Sequence, residues 1–210
     1  MTRQQWRVSS LTLALSKLQT FATNRPALEQ VPTAPEEASK LLWEAHLRGD
    51  LFGQRVLDLG CGPGILAIGA ALLGASMVTG IDTDASVVEI ARENARRSGV
   101  VVTWSEGRVG ESPLPEADTV LMNPPFGVQK HGAVIPFLEA GAEVVVPGGA
   151  LYLFAGPAAQ KFIAKLVVSH HLKVEEHVRL EWPFPAVFAH HTQRRGKVIV
   201  DRWILRKIKQ

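Results

Sequence analysis

The chain has 210 residues, 46% of them hydrophobic, and carries 23 lysines and arginines against 20 aspartates and glutamates, with a pI near 9.2. That is enough for one well-covered core in a single domain, and no apolar run nears the ~18 residues of a membrane span. The one cysteine, Cys61, rules out an internal disulfide and a cysteine-rich zinc site. The net charge of +3 points only weakly to a polyanionic partner. The sequence from Met1 does not read as a signal peptide, so a cytosolic protein is expected.

Residues 1–53 read as an N-terminal helical segment. Leu11, Leu13, Leu15 and Leu18 predict a packed helix, and Asn24-Arg25-Pro26 ends it. Two prolines, Pro32 and Pro35, keep the next stretch irregular, and Thr33 ahead of Glu36-Glu37 predicts a second helix reaching about Arg48, with Leu41, Leu42, Ala45 and Leu47 as its apolar positions. From Gln54 the pattern alternates. Strands are predicted at 56–59, 77–81, 100–104, 118–122 and 150–154, and helices at 65–73, 85–98, 135–142 and 158–169. Two last strands, near 174–180 and 197–205, are joined by Glu181-Trp182-Pro183-Phe184-Pro185 without a helix and should form an antiparallel edge. The reading is an α/β fold: a mostly parallel seven-stranded sheet with helices on both faces. Its last stretch sets Arg194, Arg195, Lys197, Arg202, Arg206, Lys207 and Lys209 against one acid, Asp201. That is a solvated edge strand with protective charges or a phosphate-binding rim.

Three strand ends carry chemistry. Asp58-Leu59-Gly60-Cys61-Gly62-Pro63-Gly64 closes the first strand and opens the first core helix, where glycines let a ligand approach the backbone and the helix start favours negative charge. A dinucleotide fingerprint would need a glycine at 65, which is Ile65, so a nucleoside without a pyrophosphate fits better. Asp82 ends the second strand, where a carboxylate can accept both ribose hydroxyls or cap the next helix, a task Asp84 can also perform. Asn123-Pro124-Pro125-Phe126 follows the apolar run 119–122. The two prolines force an extended exit and bring an amide, a carbonyl and an aromatic ring to one strand tip, suited to a flat group with an amino substituent. In open α/β sheets ligands bind at such carboxyl ends.

The glycine loop with Asp82 resembles the class I S-adenosylmethionine-dependent methyltransferases, and Asn123-Pro124-Pro125-Phe126 their amino-group methylating branch. With Leu28-Glu29-Gln30-Val31-Pro32-Thr33, Gly127 and the tail from Trp182-Pro183-Phe184-Pro185 to His190-His191, nearly the whole chain resembles the methyltransferase-like 5 family, archaeal and eukaryotic ribosomal RNA adenine-N6 methyltransferases. The resemblance implies a Rossmann-like class I fold and S-adenosyl-L-methionine as cofactor. Gln30 and Thr33 would fold over it, Gly60, Gly62, Pro63, Gly64 and Ile65 would hold its methionine part, and Asp58 would also bind the cofactor. Asp82 would hold the ribose, with Gly107 and Arg108 beside the adenine. The family usually has Asp where Gly107 stands, which leaves Glu106, Arg108 or a water to serve the adenine amine. Asn123, Pro124, Pro125 and Phe126 would receive the target base, and His190 and His191 would lie near the substrate entrance. Small-subunit ribosomal RNA is the implied substrate. A small zinc-binding activator subunit is the implied partner, pairing with a sheet edge for which the run 100–104 is the candidate, with Trp104 exposed in its absence. The competing readings are glutamine-amide methylation of a release factor, other DNA or RNA amino-methylation, and a non-catalytic RNA-binding subunit. Phe126 where release-factor enzymes carry Tyr, the short N-terminal segment and the basic C-terminus disfavour the first. The His170-His171 and His190-His191 pairs lack the cysteines or acids of a metal site, and Cys61 is given no chemistry.

Overall fold

A computed structural model describes residues 6–20, 33–126, 132–183 and 197–209. Its sheet comprises β1 (Arg55–Leu59), β2 (Met77–Asp82), β3 (Thr103–Glu106), β4 (Ala117–Met122), β5 (Val145–Ala155), β6 (Leu172–Pro183) and β7 (Lys197–Lys207), in the order β3-β2-β1-β4-β5-β7-β6. The first five strands are parallel, and β7 runs antiparallel to both its neighbours. The predicted antiparallel pair is there, but β7 is inserted between β5 and β6, so the basic last stretch is not the sheet edge.

The helices are α1 (Val8–Leu15), α2 (Pro35–Leu47), α3 (Ile65–Leu72), α4 (Ala85–Ser98), α5 (Ile135–Val144) and α6 (Gln160–Ser169). α4 has the predicted bounds because both its ends are written in the sequence. Asp84 accepts from the Ser86 backbone N–H, and Gly99 takes the left-handed conformation that stops the helix. α2 starts without its predicted cap. Pro35 opens it behind Ala34, and Thr33 is used elsewhere. Leu41, Leu42 and Ala45 are buried on α2, whereas Leu47 is exposed.

Two apolar clusters cover the faces of the sheet. One joins α5 and α6 to strand residues such as Leu57, Met122, Leu153 and Trp203. The other joins α1, α2 and α3 to Val56, Leu121, Tyr152 and Ile204. α2 approaches α3 closely because Gly69 has no side chain: a Cβ there would lie 2.3 Å from a Leu42 methyl. Gly costs a helix interior about 1 kcal/mol against Ala, and the close contact between the helices offsets it.

The third strand is a correction. The β-branched run 100–104 predicts it, but the strand starts at Thr103, paired with Thr79, and Val101 is 91% exposed. The chain leaving α4 at Gly99 must first travel to the start of the sheet, and β-branched residues in that connection mimic a strand. β3 is an edge, as the activator reading required. Trp104, expected to be exposed, is instead half-buried. Its ring lies over Gly80 and Gly64, 2.5 and 2.6 Å from where their Cβ atoms would stand.

The basic end of the chain is largely spent in ion pairs. Arg206 forks onto Asp50 with both contacts at 2.7 Å and also meets Glu175. Tyr152 donates to the same Asp50, and Arg202 pairs with Glu176. Arg194 and Arg195 lie outside the described residues.

Candidate active site

The carboxyl ends of β1, β2 and β4 open on a cavity of about 750 Å³. The glycine loop forms one wall. Gly60, Gly62 and Gly64 all have positive φ, at 71°, 52° and 91°, which a side chain at any of them would strain. Gly60 and Cys61 both donate to the Ile81 carbonyl at 2.9 Å, so the loop is bound to the end of β2. Asp82 accepts from the backbone N–H of Gly62 at 2.9 Å and of Asp84 at 3.0 Å. Asp84, not Asp82, caps α4, which leaves Asp82 facing the cavity. Burial pushes the Asp82 carboxyl up from its ordinary range, against those backbone hydrogen bonds.

Asp58 is 1% exposed. Its Oδ2 accepts from the Ala67 N–H at 3.0 Å, and its Oδ1 has no hydrogen-bond partner among the described residues. Burial raises its pKa to about 7, the Ala67 bond opposes that, and the neighbouring Asp82 charge adds to it. An orphaned buried carboxylate oxygen lining a cavity is suited to an ammonium group. With glycines that admit close approach and Asp82 beyond them, the donor set fits an amino-acid-bearing nucleoside such as S-adenosylmethionine.

Asn123, at the tip of β4, lines the same cavity, and its Nδ2 donates to Thr33 Oγ1 at 2.8 Å. That bond spans 90 residues. It explains why Thr33 does not cap α2, and it holds the Asn123 amide at the tip of β4. Pro125 lines the cavity, Pro124 is buried, and Phe126 is half-buried. Phe126 stands 6.1 Å from the Trp182 ring, which meets Phe154 edge-on at 4.8 Å. Phe126 also packs on Gly156 just past β5. Trp182 is 6% exposed and belongs to the core.

Of the residues singled out in the sequence, Thr33, Asp58, Gly60, Gly62, Pro63, Ile65, Asp82, Gly107, Arg108, Asn123 and Pro125 line one cavity. Gly64, Pro124 and Phe126 flank it, with Gly64 serving the turn and the contact with Trp104. Gln30, Gly127, Phe184, Pro185, His190 and His191 lie outside the described residues. Glu106 is exposed and does not line the cavity, whereas Glu111 does, 3.5 Å from Arg108. Ser112 Oγ fills the space above Gly107, 2.6 Å from where a Cβ would stand.

Two walls were missed. Leu15 comes from the end of α1, Leu18 and Gln19 from the chain just after it, and Phe137, Glu139 and Glu143 from α5. Phe137 lies against Gly60, 2.8 Å from its Cβ position. No local pattern marks such residues as pocket-lining.

The methyltransferase small-domain family matches this chain over residues 33–178. The zebrafish (Danio rerio) rRNA N(6)-adenosine-methyltransferase is 30% identical over 93% of this chain and 96% of its own length. The chain belongs to the methyltransferase-like 5 family. A crystal structure of an RNA methyltransferase candidate from Pyrococcus horikoshii is 33% identical, covers 98% of this chain and 100% of its own, and superposes with a TM-score of 0.87. The Marinobacter nauticus ribosomal protein L11 methyltransferase is 42% identical over 58% of this chain but only 39% of its own length. Full-length likeness thus goes with the methyltransferase-like 5 proteins, and the Rossmann-like fold expected of them is the one observed.

Proposed function

We propose that the protein transfers a methyl group from S-adenosyl-L-methionine to the N6 amine of an adenosine in small-subunit ribosomal RNA. The observation that carries this reading is the Asn123 amide, anchored by Thr33 at the mouth of the cavity lined by Asp58 and Asp82. Likeness over nearly full length to rRNA N(6)-adenosine-methyltransferases supports the substrate class.

Asp58 takes the cofactor's ammonium group and Asp82 its ribose hydroxyls. When bound, the cofactor supplies an electrophilic sulfonium methyl. The exocyclic adenine amine is a poor nucleophile because its lone pair is delocalised into the ring. The Asn123 side-chain oxygen and the Pro124 carbonyl accept its two N–H groups, which localises the lone pair and aims it. Phe126 offers a stacking face to the unstacked base, worth roughly 1–3 kcal/mol. Positioning supplies much of the rate, and no side chain need ionise as a nucleophile. The open edge of β3, bonded on one side to β2, is the surface we assign to a small zinc-binding activator subunit that adds a strand.

The test is methyl transfer from labelled S-adenosylmethionine to purified small-subunit ribosomal RNA, read by nucleoside mass spectrometry. N6-methyladenosine that disappears in Asn123→Ala is expected. Label on protein instead would move the assignment to an amide- or amine-methylating enzyme, the reading that local likeness to L11 methyltransferases favours. Full activity of the monodisperse chain alone would remove the activator from the proposal.

A further inference from the structure

Asp201 is fully buried in β7 at 0% exposure. It pairs across the sheet with Ala155 of β5 on one side and Arg179 of β6 on the other, at the end where Gly156 packs on Phe126. Arg179 reaches it with a fork, Nε to Oδ1 at 2.8 Å and Nη2 to Oδ2 at 3.0 Å. Burying a carboxylate is costly unless it is paired, yet the partner chosen here is itself 53% exposed. Two of the five guanidinium N–H groups are used on Asp201, and the other three meet no partner among the described residues. His177, two residues back on the same face, brings Nε2 to 3.5 Å from the same Asp201 and stacks on Trp203 at 3.7 Å. Among the described strand residues the other charges on this face are Lys197 and Glu181, which pair with each other at 2.5 Å, and Lys207, which donates to the Ala142 carbonyl.

We propose that Arg179, held rigid by the buried Asp201, anchors a phosphate of the RNA backbone beside the target adenosine. Three outward N–H groups in a fixed fork match the oxygens of a phosphodiester. The ordering cost of a long side chain is already met by Asp201, so little is lost when the phosphate binds. Arg179 stands at the carboxyl end of the sheet, two strand spacings or about 10 Å from the end of β5. It lies on the Trp203 face, opposite to the face on which Phe126 packs, so RNA whose base reaches Phe126 would pass its backbone over that end of the sheet to meet it. Arg179 is thus a positioning residue that sets register, while Asn123 and Phe126 act on the base. The inference rests on the RNA reading above.

The test compares the wild type with Arg179→Gln, Arg179→Lys and the neutral double variant Arg179→Gln/Asp201→Asn, which leaves no unpaired buried charge should Arg179→Gln fail to fold. RNA binding is measured by fluorescence anisotropy on a small-subunit ribosomal RNA fragment across a salt series, cofactor binding by calorimetry, and methyl transfer at saturating RNA. The expected result for the neutral variants is RNA affinity lower by about tenfold and a salt slope shallower by about one. Cofactor affinity and the rate at saturating RNA should be unchanged, and Arg179→Lys should recover the slope but only part of the affinity. RNA affinity and slope unchanged in the double variant would overturn the anchor and leave Arg179 as the counter-charge of Asp201. If the wild type binds cofactor but no RNA, the substrate reading and the anchor fall together. RNA methylation with an unaltered slope overturns the anchor alone.

Discussion

At the scale of single residues, the site works by fixing its polar side chains through hydrogen bonds: Asp58 to Ala67, Asp82 to Gly62 and Asp84, and Asn123 to Thr33. Thr33 uses the Asn123 NH₂, so Thr33→Val should remove one hold on the orientation of the amide. The expected loss in methyl transfer is about 100-fold for such misplacement, with cofactor affinity by calorimetry nearly unchanged; unaltered transfer would mean that the amide needs no anchor. Asp58 makes a prediction in pH. Burial raises its folded carboxyl to about 7 from an ordinary 3.8. The folded state therefore holds a proton that the unfolded chain has released, and Asp58 costs stability increasingly as pH rises from about 4 to about 7, with no further change above. The difference in melting temperature between wild type and Asp58→Asn, taken without cofactor, should widen in favour of the variant across that window. Cofactor binding near pH 7 should release a proton from Asp58, visible as a buffer-dependent calorimetric heat that Asp58→Asn lacks. A flat difference in melting temperature would mean that the carboxyl titrates as an exposed one does.

At the scale of elements, β3 and the glycine loop behave as one unit because Trp104 lies across both. Gly80 has room for nothing larger: a Cβ would stand 2.5 Å from the Trp104 ring and 3.1 Å from the Cys61 Cβ. Gly80→Ala should therefore destabilise by about 1–3 kcal/mol through overpacking and weaken cofactor binding, since the ring also presses on Gly64. Adding Trp104→Ala should restore part of the stability of Gly80→Ala, a non-additivity read by chemical denaturation; additive losses would separate the two. This element also marks how far the sequence could be read. The strands ending at Asp58, Asp82 and Asn123 were legible because each pairs a short apolar run with a polar or glycine-rich exit, and those three exits do meet at one cavity. The start of β3 was not, because Val100 to Val102 has strand composition in a connection whose end only the pairing with β2 determines. The contributions of Leu15, Gln19 and Phe137 were not legible either, since helix periodicity reports that a face is covered and not what else it lines. Thr33 was singled out for the cofactor, and its bond to Asn123 has no local signature at all.

At the scale of the molecule, one wall of the cavity is a segment that is not part of the sheet, and a side chain of α4 joins it to the glycine loop. Asn94 on α4 is 1% exposed. It accepts from the Gln19 N–H at 2.8 Å and donates to the Gln19 carbonyl at 2.9 Å and the Pro63 carbonyl at 2.9 Å. The end of the N-terminal helix is thereby joined to the glycine loop through a single amide. A ligand in the cavity would touch α1, the loop, the strand ends and α5 together, so its affinity should depend on that clasp. Asn94→Ala leaves the Gln19 and Pro63 groups without their partner, which should cost about 1–3 kcal/mol of stability. If the variant also weakens S-adenosylhomocysteine tenfold, a ligand concentration stabilising the wild type by about 2.7 kcal/mol would stabilise Asn94→Ala by only about 1.4 kcal/mol. Hydrogen exchange should speed up in residues 6–20, and added ligand should slow it less than in the wild type. The alternative is that Asn94 merely satisfies the surface of α4. In that case stability falls, but the ligand-induced shift in melting temperature stays equal to that of the wild type. That equality would detach the N-terminal segment from cofactor binding and leave the glycine loop and Asp58 to account for it.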